Sequence, residues 1–155
     1  MTILGKQNSI RGLRDNSKAE RLEDLNLVPV EVVIAANAIT KAESGKIFIL
    51  SKATGFNSTL PTPKAGLNYR FIVGISPTTA YTIKSNGDAN IINGQVASAE
   101  DAAGSVSTAA GADIINFVAN KAIIGDYIDV VSDGTSWFVS GLCNVQDAVT
   151  TVQTA

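Results

Sequence analysis

The stretch that decides the fold is Gly125-Asp-Tyr-Ile-Asp-Val-Val-Ser-Asp-Gly-Thr-Ser-Trp-Phe-Val-Ser140. It contains two β-patterned runs, residues 127–131 and 137–139, on either side of the dipeptide Asp133-Gly134. Asp-Gly between such runs is a strong hairpin signal, because glycine readily adopts the positive φ that a tight turn needs. The stretch therefore predicts two strands joined by a short turn.

The same pattern extends over most of the chain. Short apolar or alternating runs recur about every ten residues, separated by turns rich in Gly, Asn, Ser and Pro, which is typical of an all-β sandwich or barrel. Asn86-Gly87 is a second hairpin dipeptide, and the Ala-, Ser- and Gly-rich residues 97–111 are interpreted as a long loop. We predict about ten short antiparallel strands, at residues 28–35, 46–50, 56–60, 69–75, 81–84, 89–92, 113–118, 127–131, 136–140 and 149–152.

The first of these strands shows the alternation most clearly. Val28, Val30, Val32 and Ile34 alternate with Pro29 and other residues, so one face of the strand is apolar and the other is mixed. Proline has no amide hydrogen to donate to a neighbouring strand. The sequence therefore predicts that Pro29 lies at the start of a strand or on an edge strand.

Composition changes near residue 28. Residues 1–27 are rich in charged side chains, and Ser17 and Glu20 have the spacing of a helix capping box. Leu22 and Leu25 follow on one helical stripe. We predict an N-terminal arm over residues 1–27, with a short amphipathic helix at about residues 18–26, followed by a β-rich domain over residues 28–155.

Bulk composition narrows the possible partners. Only 17% of the residues are charged and 45% are hydrophobic, whereas soluble domains usually contain about 25% charged residues. This low charge indicates a surface that is buried against other chains. The net charge of −2 does not favour nucleic acid as a partner. There is no apolar run of about 18 residues and no signal-peptide core, so we expect no membrane span and synthesis in the cytoplasm.

The sequence offers little material for catalysis. It contains no histidine and one cysteine, Cys143, which excludes a Ser-His-Asp triad, a His-ligated metal site and an intramolecular disulfide. Asp126 and Asp129 are three residues apart, so in a strand they would point to opposite faces. Glu100-Asp101 supplies too few oxygen ligands for calcium. We predict a non-enzyme with no catalytic, cofactor-binding or metal-binding residues, and we expect Cys143 to be a small core residue.

Three stretches, residues 40–50, 55–61 and 65–73, followed by the hairpin at residues 125–140, resemble the capsid decoration (cement) proteins of tailed bacteriophages and related β modules of virion fibres. The resemblance covers roughly residues 38–140. It implies a homotrimer that binds the outer surface of the head at threefold or quasi-threefold positions and stabilises the lattice of the major capsid protein. It also implies assembly in the host cytoplasm, a final location on the virion, and no cofactor.

The matching positions would be structural. Ser44-Gly45 and Asp133-Gly134 would form turns, and Leu60-Pro61 would end a strand. The resemblance gives aromatic residues a packing role, in the core or between subunits, at Tyr69, Phe71, Tyr127 and Trp137; the strand pattern places Phe48 with them.

Residues 1–37 lie outside the resemblance. The composition of the arm by itself predicts a capsid-binding role, with apolar anchors and arginines that pair with capsid carboxylates, at Arg11, Leu13, Arg14, Arg21, Leu22 and Leu25. The alternative is a head- or tail-fibre module that binds host-surface glycan through exposed aromatic residues.

Overall fold

A computed structural model of the chain describes residues 27–100 and 106–154. These residues form an all-β fold, which confirms the predicted fold class. The arm residues proposed to bind the capsid, and the predicted helix at residues 18–26, lie outside the described residues. The strands are β1 (Val30–Val33), β2 (Asn37–Ala38), β3 (Ile47–Leu50), β4 (Asn57–Thr59), β5 (Asn68–Val73), β6 (Tyr81–Lys84), β7 (Ile92–Ser98), β8 (Val106–Ala112), β9 (Ile114–Phe117), β10 (Tyr127–Ser132), β11 (Trp137–Cys143) and β12 (Val149–Val152).

The strands form two sheets. The seven-stranded sheet has the order β1-β3-β5-β10-β11-β7-β8, and the five-stranded sheet has the order β12-β9-β6-β4-β2. The prediction of antiparallel strands throughout was wrong, because β1, β3 and β5 pair in parallel, as do β7 with β11 and β2, β4 and β6 with one another. Between β1 and β6 the chain alternates between the sheets, so successive strands within one sheet run in the same direction.

The hairpin prediction was right at one site and wrong at another. Around Asp133-Gly134, β10 and β11 pair antiparallel from Tyr127 opposite Leu142 to Ser132 opposite Trp137. Asn86-Gly87 instead lies in a short 3-10 turn. The strands on either side of that turn, β6 and β7, belong to different sheets, so this turn carries the chain across the domain.

The predicted loop over residues 97–111 was also wrong in its second half. Residues 106–112 form β8, which pairs antiparallel with β7 along the edge of the seven-stranded sheet. A bulge near Ile92 accommodates Gly111, which has a φ of 70°. The Ala- and Ser-rich sequence of β8 has little strand propensity, so backbone pairing with β7 decides its structure.

One core joins the two sheets. Side chains that point inward from both sheets belong to a single buried cluster, which makes the domain a sandwich. Phe48 and Phe71 stack with their ring centroids 5.3 Å apart, and Trp137 lies 5.8 Å from Tyr69. Cys143 is buried in the same cluster, as the sequence predicted. The sandwich leaves the other side of each sheet facing outward.

Candidate interaction surface

The outward side of the seven-stranded sheet is an unusually apolar surface, which we call the apolar face. Successive residues of each strand point alternately into the core and outward, and the apolar face consists of those that point outward. Strand register aligns one row of apolar residues across six strands, near one end of the sheet, and the next outward row is polar at Arg70, Asp129, Ser140 and Gln95. The residues of the apolar row are Val32, Ile49, Ile72, Tyr127, Leu142 and Ala97.

Large apolar side chains on this face are exposed. Val32 is 59% exposed, Phe138 48%, Val131 47% and Leu142 42%. Scattered exposed apolar residues are normal on a protein surface, but a contiguous apolar patch marks an interaction site. Val32 and Leu142 belong to the apolar row, whereas Val131 and Phe138 pair with each other on the far side of Asp129 and Ser140. The apolar row, with these exposed side chains around it, makes the apolar face the candidate site.

Strand β1 extends the apolar face to the edge of the sheet. The predicted alternation is present, but its apolar side points outward: Val30 and Val32 are exposed, whereas Val33 is buried. Pro29 directly precedes this edge strand, as predicted. Leu27, Val28 and Ile34, just outside the strand, are also exposed. The apolar row of this strand therefore faces away from the core.

One ion pair lies within the apolar face. The Arg70 guanidinium donates from Nε to Asp129 Oδ1 at 2.6 Å and from Nη2 to Asp129 Oδ2 at 2.7 Å. Its carbon Cζ lies 5.0 Å from the centroid of the Tyr127 ring. The hydrogen bond with Asp129 raises the pKa of Arg70 above its ordinary value. The two charges cancel, so the outward-pointing residues of these strands carry no net charge.

A second charged group borders the apolar face. The Lys46 ammonium contacts Glu31 at 2.7 Å and Glu43 at 2.9 Å. The hydrogen bond from Lys46 lowers the pKa of Glu43, and those to Glu31 and Glu43 raise the pKa of Lys46. An open groove of about 500 Å³ runs from Val28 past Lys46 to Val131, over the Arg70–Asp129 pair. Arg70 and Asp129 pair within the groove, and Lys46 is paired with Glu31 and Glu43 at its border.

The carboxylates weighed as catalytic or metal-binding candidates have separate structural partners. Buried Asp126 accepts hydrogen bonds from the Ile123 and Asn144 amides, both at 2.9 Å, whereas Asp129 pairs with Arg70. Glu100 accepts from the Gln146 amide at 2.9 Å, and Asp101 lies outside the described residues. Within residues 27–100 and 106–154, no three His, Cys, Asp or Glu residues cluster in a way that could hold a metal ion.

The five residues predicted to pack in the core or between subunits fall into two groups. Phe48, Tyr69, Phe71 and Trp137 are buried in the core. Tyr127 is half-buried on the apolar face, beside Arg70. The structure thus brings four of them together inside the sandwich and places the fifth on its outer surface.

The apolar face was not predicted as a site from the sequence. Its missed members include Ile49, Ile72, Val131, Phe138 and Leu142. A signal was present in residues 46–50, where both faces of the strand are apolar, although the buried position of β3 between two strands explained that pattern equally well.

No protein-family model matches the chain, and no curated protein matches it. In the described part of the chain, no helix is long and apolar enough to cross a membrane.

Proposed function

We propose that the chain is a bacteriophage capsid decoration protein, a structural protein that binds the outer head surface as a homotrimer and stabilises the major capsid protein lattice. The observation that carries this proposal is the apolar face, which has an apolar row across six strands and whose charged groups Arg70 and Asp129 are paired with each other. Such a surface suits adhesion to protein. The resemblance over residues 38–140 supplies the capsid as the partner.

Repetition makes weak adhesion effective. A trimer presents three copies of every contact, and linked contacts raise the overall affinity by about 10² to 10⁴ over a single site. The arm residues Arg11, Arg14 and Arg21 supply positive charge for capsid carboxylates, and Leu22 and Leu25 supply apolar anchors. In this proposal the arm binds the capsid, and the β domains associate to form the trimer.

The glycan-binding alternative has less support. Sugar recognition by a β module uses aromatic rings exposed at the surface, on which sugars stack. All nine aromatic residues lie in the described ranges, and six of them are buried. Phe138 is exposed, Tyr127 is half-buried and Phe56 packs against the core. Phe138 and Tyr127 are therefore the aromatic rings at the surface on which a sugar could stack, and two such rings are few for a glycan-binding site.

Co-sedimentation with undecorated phage heads tests the proposal. The full chain should pellet with the heads and reach saturation. Replacing Arg11, Arg14 and Arg21 by Glu should abolish pelleting, because the arm then repels capsid carboxylates. The matched control replaces the exposed Lys41, Lys52 and Lys64 by Glu, which changes the charge equally and should leave pelleting intact. Failure of the unmodified chain to pellet would contradict the proposal.

A further inference from the structure

We infer that the apolar face is the surface through which copies of this chain join one another. The inference deepens the proposed function, which includes a homotrimer, by assigning self-association to one side of the seven-stranded sheet. It leaves the arm for the capsid. The area of the face and its charge both favour a second copy as the partner.

The area of the face suits a protein partner. Seven strands spaced about 4.8 Å apart make a surface about 30 Å wide, and five residues per strand make it about 17 Å long. The projected area of the whole outward side is about 500 Å², and it includes the polar side chains of Arg70, Asp129, Ser140 and Gln95 besides the apolar row. Each partner buries roughly 800 Å² in a standard interface, so a surface of this extent is of the order that a protein partner covers.

The charge of the face favours a second copy over a charged partner. Arg70 and Asp129 are the charged residues that point outward from its strands, and they neutralise each other at 2.6 Å. A partner with strong charge of either sign would gain nothing here. A second copy brings one cation and one anion as well, so neither copy repels the other and each charge can find a partner across the junction.

The helix predicted in the arm would be too short to cover the face. The helix predicted at residues 18–26 would be about 14 Å long, less than half of the 30 Å width. Its leucine stripe contains Leu22 and Leu25 alone, whereas the row from Val32 to Leu142 crosses five strands. A full second copy has the extent that the face requires.

Light scattering on purified protein tests the inference. Leu142→Glu and Val131→Glu each place a negative charge within the apolar face, and both side chains are exposed in the single chain. The unmodified protein should have a mass of several chains, and each variant should fall to the 16.1 kDa of one chain. Leu142→Ser, measured in parallel, should weaken self-association at least about tenfold, since it removes apolar area without adding charge.

The matched control is Val152→Glu on the outward side of the five-stranded sheet, where Val152 is 37% exposed; it should leave the mass unchanged. Trp137, the one tryptophan, is fully buried, so its blue-shifted emission verifies the fold of every variant. If a charged variant loses that emission, it has not folded, and the mass of the uncharged variant Leu142→Ser then tests the inference in its place. The inference is overturned if the folded face variants keep the mass of the unmodified protein, or if Val152→Glu lowers it equally.

The pelleting assay separates this inference from the proposed function. If Leu142→Glu dissociates the assembly but the unmodified assembly does not pellet with phage heads, the inference is supported and capsid decoration is overturned. A single chain that still binds heads overturns the inference and leaves the binding role in place.

Discussion

The outward sides of the two sheets differ sharply although both sheets cover the same core. The apolar face carries the row from Val32 to Leu142. The corresponding row of the five-stranded sheet is polar, and in it Thr82 Oγ1 donates to Asn57 Oδ1 at 2.7 Å. The residues of the polar row are Asn57, Thr82, Asn116 and Thr150. Both sheets have the same strand architecture, so the residues at the outward-pointing positions decide whether a side is apolar or polar.

The physical consequence is a two-sided molecule. Amide and hydroxyl groups exchange hydrogen bonds with water at little cost, so the polar side is suited to solvent. Large apolar groups gain free energy when they leave water, about 25 cal/mol per Å². The seven-stranded sheet is therefore the side that gains from a protein partner, and the five-stranded sheet is the side that stays hydrated.

The largest expected loss of stability comes from shortening a large core side chain beneath either sheet. Trp137→Ala under the apolar face and Phe117→Ala under the polar side should each lower the free energy of unfolding by about 3–5 kcal/mol. Both side chains are fully buried in one cluster. Urea unfolding followed by circular dichroism measures both. Thr150→Ala, on the polar side, is the control and should change stability by less than about 0.5 kcal/mol. A loss below about 1 kcal/mol for either core variant would mean that the sheets do not share a core.

A smaller effect on the free energy of unfolding is expected from the ion pair on the apolar face. Asp129→Asn removes the negative partner of Arg70 on the apolar face. In a dissociated Leu142→Glu background the pair is solvent-exposed, so the loss should be about 0.2–1 kcal/mol and should shrink with added salt.

In the assembled protein the same Asp129→Asn change should cost more, because a covering copy would leave Arg70 unpaired in a dehydrated site. Urea unfolding of both backgrounds, with and without Asp129→Asn, measures the difference. Equal costs in the two backgrounds would show that no chain covers the pair.

The smallest effect concerns the turn that joins two strands of the apolar face. Asp133 Oδ1 accepts hydrogen bonds from the Thr135 and Ser136 amides at 2.8 Å and from the Thr135 hydroxyl at 2.9 Å. These bonds lower the pKa of Asp133, those from the Ser136 and Thr135 amides most strongly. A lowered folded-state pKa contributes stability above the ordinary Asp value of about 3.9, and this contribution is lost as the pH falls through the folded-state value.

Asp133→Ala should therefore lower the Tm at neutral pH, and the gap between the variant and the unmodified protein should close as the pH falls below about 4. Thermal unfolding between pH 7 and acid measures it. A gap that widens in acid would have the wrong sign for a lowered pKa.

The sequence alone was sufficient for the fold class and for the hairpin. Period-two alternation predicts strands because successive side chains point to opposite sides. Asp133-Gly134 predicts its turn because Gly134 takes the positive φ of 109° found there. Burial of Cys143 was expected because free cysteine is usually buried, and burial of Trp137 because aromatic side chains dominate buried area. These are local properties, so neighbouring residues determine them.

Tertiary structure alone decided strand direction, the existence of β8 and the orientation of β1. Alternation identifies Val30 and Val32 as one face and Val33 as part of the other, but it does not say which face turns inward. That depends on where the second sheet lies, and the second sheet covers Val33. Parallel pairing depends likewise on the crossings between sheets, which no single run of residues encodes. The apolar row exists because pairing aligns six strands, most of them distant in the sequence, and that alignment is a property of the whole fold.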